Sequence, residues 1–317
     1  MALLSVENLH ASYASGGGQL RAVDGVSFDI AAGETVGLVG ESGCGKSTLG
    51  KAVLRLIGRT SGGIVFDGED VGALSGGALA AYRRSVQMVF QDPFGSLNPR
   101  HTVAEILTGP LAVHRIGTRR ARLQRTAEML DRVGLPRDAL QRYPHEFSGG
   151  QRQRLGIARA LILKPRLVIC DEPVSALDLS IQAQILNLLA AMKADLGLSY
   201  LFISHDLSVV RYFTDRVLVM YLGRIVESGS WENFSQRPLH PYTQALIAAV
   251  PNAARRRHAA PLAGDLPSAR NVPSGCRFHP RCPRATALCA AEEPALRDVG
   301  GGQTVACHHA DVAPAAA

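Results

Sequence analysis

No uninterrupted apolar stretch in this 317-residue sequence reaches the roughly 18 residues that a membrane-spanning helix needs. No secretory leader opens it either, so the chain is expected to be soluble or peripheral, and cytosolic. Heptad repeats are missing, which removes a long coiled coil from consideration. Short C-x2-C knuckles, the usual mark of a zinc ribbon, are missing too. What remains is ordinary globular composition, 46% hydrophobic and 19% charged, enough for one large domain or two modest ones. The net charge of +7 owes much to Arg119, Arg120, Arg122, Arg125, Arg152, Arg154, Arg159 and Arg255-Arg256-Arg257. Such a balance suits anionic ligands, a membrane surface or nucleic acid, and chooses among none of them.

The chain is organised around residues 35–48. An apolar run, Thr35 to Val39, reads as a buried strand, and Leu49 to Ile57 reads as a helix. Between them lies G-x-x-x-x-G-K-S, from Gly40 to Ser47. Glycines let successive backbone N–H groups turn inward, making an anion nest capped by a helix N-terminus. Lys46 can then reach the β- and γ-phosphates of a nucleotide, and the Ser47 hydroxyl can take Mg²⁺.

Upstream, Leu4–His10 and Val26–Ile30 read as antiparallel strands joined around Ser15-Gly16-Gly17-Gly18. Tyr13, just before that turn, can stack on an adenine ring or simply pack. Downstream, the apolar strand Val86–Phe90 ends on Gln91, ahead of a loop broken by Pro93 and Pro99. Residues 102–147 read as a helical insert, including an amphipathic run with Leu123, Ala127, Leu130 and Val133 on one face. Ser148-Gly149-Gly150-Gln151 opens a helix, and Ser148 with Gln151 also fits a capping box. Leu167–Cys170 is a second buried strand that delivers Asp171-Glu172, followed by Ser175–Asp178 and a helix from Ser180. A third strand, Tyr200–Ile203, ends in Ser204-His205, and a hairpin turns at Leu222-Gly223. Alternating strands and helices with apolar strands predict a mainly parallel α/β core.

Phosphoryl transfer needs phosphates held, Mg²⁺ held, a water aimed in line and developing charge neutralised. The nest around Gly43, Gly45 and Lys46 meets the first need. Asp171, at a strand end, is placed for Mg²⁺ beside Ser47, and Glu172 for the general base. His205 can reach the γ-phosphate, and Gln91 the metal or the water. Ser148-Gly149-Gly150 offers a second phosphate-suited helix N-terminus, although the first already serves that need. It is therefore expected to grip a nucleotide held by another chain, with ATP sandwiched in a head-to-tail dimer.

Residues 1–250 closely resemble the ATP-binding subunit of an ABC transporter. Gly40–Ser47 matches Walker A, Leu167–Asp171 Walker B, and Ser148–Gln151 the signature motif, preceded by Phe147 where Leu is usual. Gln91 matches the Q-loop, Ser175–Asp178 the D-loop, His205 the H-loop and Tyr13 the adenine-stacking aromatic. The resemblance implies a P-loop NTPase fold with an antiparallel β subdomain, a helical subdomain near residues 92–163, and a small Cys-containing C-terminal module. It divides the chain into an ATPase domain, 1–235, and an extension, 236–317. Tyr13 and the loop Gly40, Glu41, Ser42, Gly43, Cys44, Gly45, Lys46, Ser47 and Thr48 would bind ATP. Ser47, Gln91 and Asp171 would hold Mg²⁺, while Glu172, His205 and Gln91 would be catalytic. Ser148, Gly149, Gly150 and Gln151 would act in trans, with Asp178 in the D-loop.

The stretches 40–48, 90–100 (Phe-Gln-Asp-Pro-Phe-Gly-Ser-Leu-Asn-Pro-Arg) and 240–243 (His-Pro-Tyr-Thr) resemble the oligopeptide/dipeptide/nickel importers, more closely the second of their two ATPase subunits. That resemblance implies a non-identical ATPase partner, two transmembrane permease subunits and an extracytoplasmic solute-binding protein, at the cytoplasmic membrane face and without nucleic acid. An importer of nickel or another non-peptide solute stays open, as does a soluble ABC-type ATPase acting on nucleic acid or the ribosome. A non-hydrolysing partner subunit is a third reading, which Glu172 and His205 oppose.

After Ser230 prolines punctuate a less periodic segment, with a helix near Tyr242–Ala249 and a strand-like Gln303-Thr304-Val305. Four of the six cysteines lie here, Cys276, Cys282, Cys289 and Cys307, spaced C-x5-C-x6-C-x17-C. Four cytosolic thiols suit a [4Fe–4S] cluster, tetrahedral Zn²⁺ or no metal at all, and the Cys282-Pro283 step favours the cluster. His279 and His308 are bystanders or substitute ligands. Cys44 and Cys170 read as small packing residues.

Overall fold

The computed structural model describes residues 2–15, 18–58, 61–92, 94–250, 267–268 and 270–310. Gly16-Gly17, Pro93, Arg255-Arg256-Arg257, Pro251, Pro261 and the expected frayed end at Pro314–Ala317 lie outside the described residues. The chain divides into two compact units, one of residues 1–3, 31–34 and 69–203, the other of residues 4–30, 35–68 and 204–317.

In the first unit, three strands lie parallel: Val86–Val89, Leu167–Asp171 and Ser199–Ser204. Leu167–Asp171 is the middle one, with Cys170 opposite both Val89 and Phe202. Every residue of the second and third strands is buried, which is why they read as unbroken apolar runs rather than alternating ones. The helical insert follows the first strand. Thr102 caps the helix Val103–Val113 with a full capping box to Glu105, and Thr118 caps Arg119–Arg132. The buried face of the latter is only partly the expected one, with Leu130 and Val133 inside as anticipated. Thr126, Met129 and Leu130 are buried, followed by Val133, whereas Leu123 is 38% exposed. The helices Gly149–Leu161 and Leu179–Leu196 complete this unit.

The second unit holds a long antiparallel ribbon. Ala2–Ser15 lies between Gly18–Ala31 and Ser61–Phe66, so the two N-terminal strands extend well beyond their predicted cores. Thr35–Val39 pairs in parallel with Arg216–Tyr221. That strand turns through Leu222-Gly223 into Arg224–Gly229, which pairs with Thr304–Val305 and so draws the C-terminal segment into the sheet. The helix after the glycine loop is shorter than expected, Lys46–Val53, and the backbone turns left-handed at Arg55. Helix Pro241–Ala248, the expected one near Tyr242, is capped by His240, whose Nδ1 accepts the Tyr242 N–H (3.1 Å). Burial holds His240 neutral, its pKa pushed down to about 3.

Candidate ATP site

The glycine loop connects the fully buried strand Thr35–Val39 to the helix Lys46–Val53. Two of its glycines are irreplaceable on steric grounds. At Gly45 φ is +110°, and a Cβ would stand 2.0 Å from the Ala22 carbonyl oxygen. At Gly40 φ is +154°, and a Cβ would stand 2.1 Å from the Met220 oxygen. Such approaches require glycine, as the phosphate-cradle reading demands. Lys46 is buried, and its Nζ donates to the carbonyl oxygens of Gly40 (2.7 Å) and Glu41 (3.0 Å). The ammonium is thus folded along the loop rather than extended into solvent. Tyr13 lies beside the first turn of the helix, its hydroxyl 3.4 Å from Thr48 Oγ1 and its ring partly exposed. Burial raises the Cys44 and Cys170 thiols, so both behave as small packing side chains.

In the other unit the strand Leu167–Asp171 ends on a buried aspartate, with Asp171 opposite Ile203. Glu172 has φ +46°, in the left-handed region that few non-glycine residues occupy. Its backbone is fixed from both sides. The N–H donates to Ile203 O (3.0 Å), and its carbonyl accepts from the Ser175 N–H (3.3 Å) and Oγ (3.1 Å). Gln91 Nε2 donates to Glu172 Oε2 (3.0 Å), so residues 81 apart in sequence meet at neighbouring strand ends. A strained backbone that aims one carboxylate, with an amide holding it, is the arrangement expected of a group that must orient a water. His205 follows the third strand and is exposed.

Ser148 caps its helix as anticipated: Oγ accepts from the Gln151 N–H (3.4 Å), and Gln151 Oε1 accepts from the Ser148 N–H (3.0 Å). Ser148 itself is exposed, so the helix opens toward solvent. Gly150 packs against Ile181, where a Cβ would come within 2.6 Å. The N-terminal turn therefore sits on the segment that carries Asp178, the N-cap of the helix Leu179–Leu196.

Residues 23–175 match the family model described as ABC transporter, and residues 226–289 match the one described as the C-terminal region of oligopeptide/dipeptide transporters. A putative peptide import ATP-binding protein of Brucella ovis is 54% identical over 307 residues, covering 96% of this chain and 97% of its own. The oligopeptide transport ATP-binding protein AppF of Bacillus subtilis is 52% identical over 296 residues, with 92% and 90% covered. The chain belongs to the ABC transporter ATPase family. Among solved structures, the dimeric ATP-binding cassette MJ0796, in a post-hydrolysis state with ADP and Pi, gives a TM-score of 0.65 at 30% identity, covering 72% of this chain and 98% of that one. The cassette cbiO1 of Clostridium perfringens gives 0.65 at 30%, covering 74% and 91%.

In this ABC ATPase, all four tail cysteines line one narrow cavity with His240, Phe278, His279 and Arg284. Burial raises the thiols of Cys282 and Cys307 and pushes Cys276 up to about 11. Among the described residues, no group of three or more His, Cys, Asp or Glu side chains is placed to hold one metal ion. Two residues that touch the glycine loop escaped sequence reasoning. Tyr242 OH accepts the Glu41 N–H (2.8 Å), and Arg281 grips the Glu41 carboxylate (2.6 and 3.0 Å). Tyr242 stood only in a subfamily pattern, and nothing around Arg281 marked it.

Proposed function

We propose that this protein is the ATP-hydrolysing subunit of an importer of di- and oligopeptides, working at the cytoplasmic membrane face. What supports the reading is the presence in one chain of a match to the ABC transporter model and a C-terminal segment matching the peptide-transporter model, with relatives named for peptide import. Its partners are two permease subunits, a solute-binding protein and a second, non-identical ATPase. Residues 1–235 form the ATPase domain and 236–317 the extension. Among the described residues no helix is long and apolar enough to cross a membrane.

The loop from Gly40 to Thr48 binds the phosphates and Tyr13 stacks on adenine. Glu172 accepts the proton of the attacking water, held in aim by Gln91, and His205 contacts the γ-phosphate. Ser47, Asp171 and Gln91 would hold Mg²⁺, an oxygen-donor set that a hard cation prefers. The metal would neutralise charge on the β- and γ-phosphate oxygens. Ser148–Gln151 grips the nucleotide of the companion subunit, beside Asp178.

The tail thiols form an all-sulfur donor set that fits a soft metal. A single Zn²⁺ needs four sulfurs about 2.3 Å from one point. A [4Fe–4S] cluster spreads its ligands over a wider cage, and we assign Cys276, Cys282, Cys289 and Cys307 to it. Iron and acid-labile sulfide in anaerobically purified protein test this assignment; stoichiometric zinc without iron would overturn it. The transport reading is tested in proteoliposomes holding the whole complex. Peptide-loaded binding protein should stimulate ATP hydrolysis and drive peptide uptake. Stimulation by nickel chelates and not by peptides would favour the non-peptide importer.

A further inference from the structure

The glycine loop is held from outside as well as from within. Glu41, its second residue, is gripped at three places. Lys46 Nζ donates to its carbonyl oxygen (3.0 Å), and its N–H donates to Tyr242 OH (2.8 Å). Its carboxylate takes two parallel hydrogen bonds from the Arg281 guanidinium (2.6 and 3.0 Å), 240 residues away in sequence. Both outer partners are rigid. Tyr242 is fully buried, its ring edge-on to Tyr221 at 4.7 Å and tilted against Phe278 at 5.4 Å. The Arg281 side chain is 5% exposed and its Nη1 lies 3.5 Å from Tyr221 OH. A bidentate Arg–carboxylate pair, buried on the arginine side and 28% exposed at Glu41, fixes position and angle together, which one lysine contact could not.

We propose that Arg281 and Tyr242 of the C-terminal extension are positioning residues of the ATP site: they hold Glu41, and through its backbone set the curvature of the phosphate loop and the reach of Lys46. This rests on the nucleotide-binding reading above and goes beyond it, because it makes the extension a working part of the phosphate cradle. A phosphate nest binds well only when its N–H groups already point inward, since each disordered amide must be ordered at the expense of affinity. Glu41 is the point where the loop leaves its strand, so freeing it loosens the nest at its entry while the helix end stays anchored. The contact is also close to the thiol cavity. Arg281 precedes Cys282, and Tyr242 follows Pro241, which lines that cavity.

The test is equilibrium binding of Mg·ATP to the purified full-length protein, together with KM and kcat in the assembled complex. Arg281→Met keeps the apolar stem and removes the grip; Glu41→Gln removes the charge from the other side. Each should weaken Mg·ATP binding by roughly tenfold and raise KM more than it lowers kcat. The double variant should be no weaker than either single one, because both delete one interaction. Arg281→Lys, a point charge without the fork, should recover only part of the loss, and Tyr242→Phe should produce a smaller weakening. Ser230→Ala removes a helix cap elsewhere in the same unit and controls for stability: it should lower the melting temperature and leave nucleotide affinity unchanged. Wild-type affinity in Arg281→Met, or strictly additive losses in the double variant, would overturn the proposal. Wild-type protein that does not bind Mg·ATP at all would instead defeat the underlying functional reading.

Discussion

Glu172 shows what a single residue reveals and conceals. An Asp-Glu pair at the end of an apolar strand is visible in sequence, and it raises the expectation of a metal ligand beside a base. The left-handed backbone of Glu172 and the Gln91 amide on its carboxylate are not visible, because both depend on strands brought side by side by the fold. A glutamine beside a loop carries little meaning until its partner, 81 residues away, is known. General-base catalysis contributes about 10²- to 10⁴-fold, so Glu172→Gln should lower turnover by that range while ATP still binds. The shape of the side chain is kept, hence the ATP-bound pair of subunits should accumulate and be seen as a larger species by size-exclusion chromatography. Hydrolysis at the wild-type rate would take the role of base away from Glu172.

Elements were legible where local chemistry decides them. The capping box at Ser148, and the two-residue turn with φ of 43° at Leu222 and 81° at Gly223, follow from short-range rules. The buried face of helix Arg119–Arg132 was only half legible, since neighbours choose it: Leu130 and Val133 go in as their spacing suggests, but Met129 goes in too and Leu123 stays partly out. The docking of the extension is likewise non-local. Arg277, nearly buried, pairs with Asp24 of the N-terminal ribbon and also donates to Leu222 O. Burial alone would raise the Asp24 carboxyl, but hydrogen bonds and charge from Arg277, with help from His10 and Arg224, hold it below its ordinary value of 3.8. A carboxyl lowered in the folded state stabilises at pH above its unfolded value and loses that contribution as pH falls through the folded one. Breaking such a pair strands a buried charge, so Asp24→Asn should cost about 3–5 kcal/mol at neutral pH. Thermal melts across pH should show the gap between variant and wild type narrowing below 3.8. A gap that stays constant through that range would mean the pair is not what anchors the extension.

At the scale of the molecule, the sequence contains two helix N-termini suited to phosphate where one nucleotide needs only one from its own chain. Lys46–Val53 begins at the glycine loop, and Gly149–Leu161 begins at the exposed Ser148. Their duplication was readable from motifs, whereas the inclusion of the C-terminal extension in the same unit as the glycine loop was not, because no local pattern ties residue 281 to residue 41. If Ser148 serves the companion subunit, its replacement separates two quantities that usually fall together. Ser148→Arg places a bulky cation at the helix entrance without touching Gly40–Thr48, so this chain's own ATP affinity should stay within roughly twofold of wild type. Turnover in the complex should fall at least about tenfold, because a charge meant for backbone N–H groups and an exposed hydroxyl now meets a misplaced guanidinium. Isolated subunit should show the matching behaviour on dilution, with specific activity falling as pairs dissociate and returning when the companion ATPase is added. A dilute, unaccompanied chain that hydrolyses ATP at the full rate would mean that each pocket is complete within one polypeptide, and Ser148 would then be no more than a helix cap.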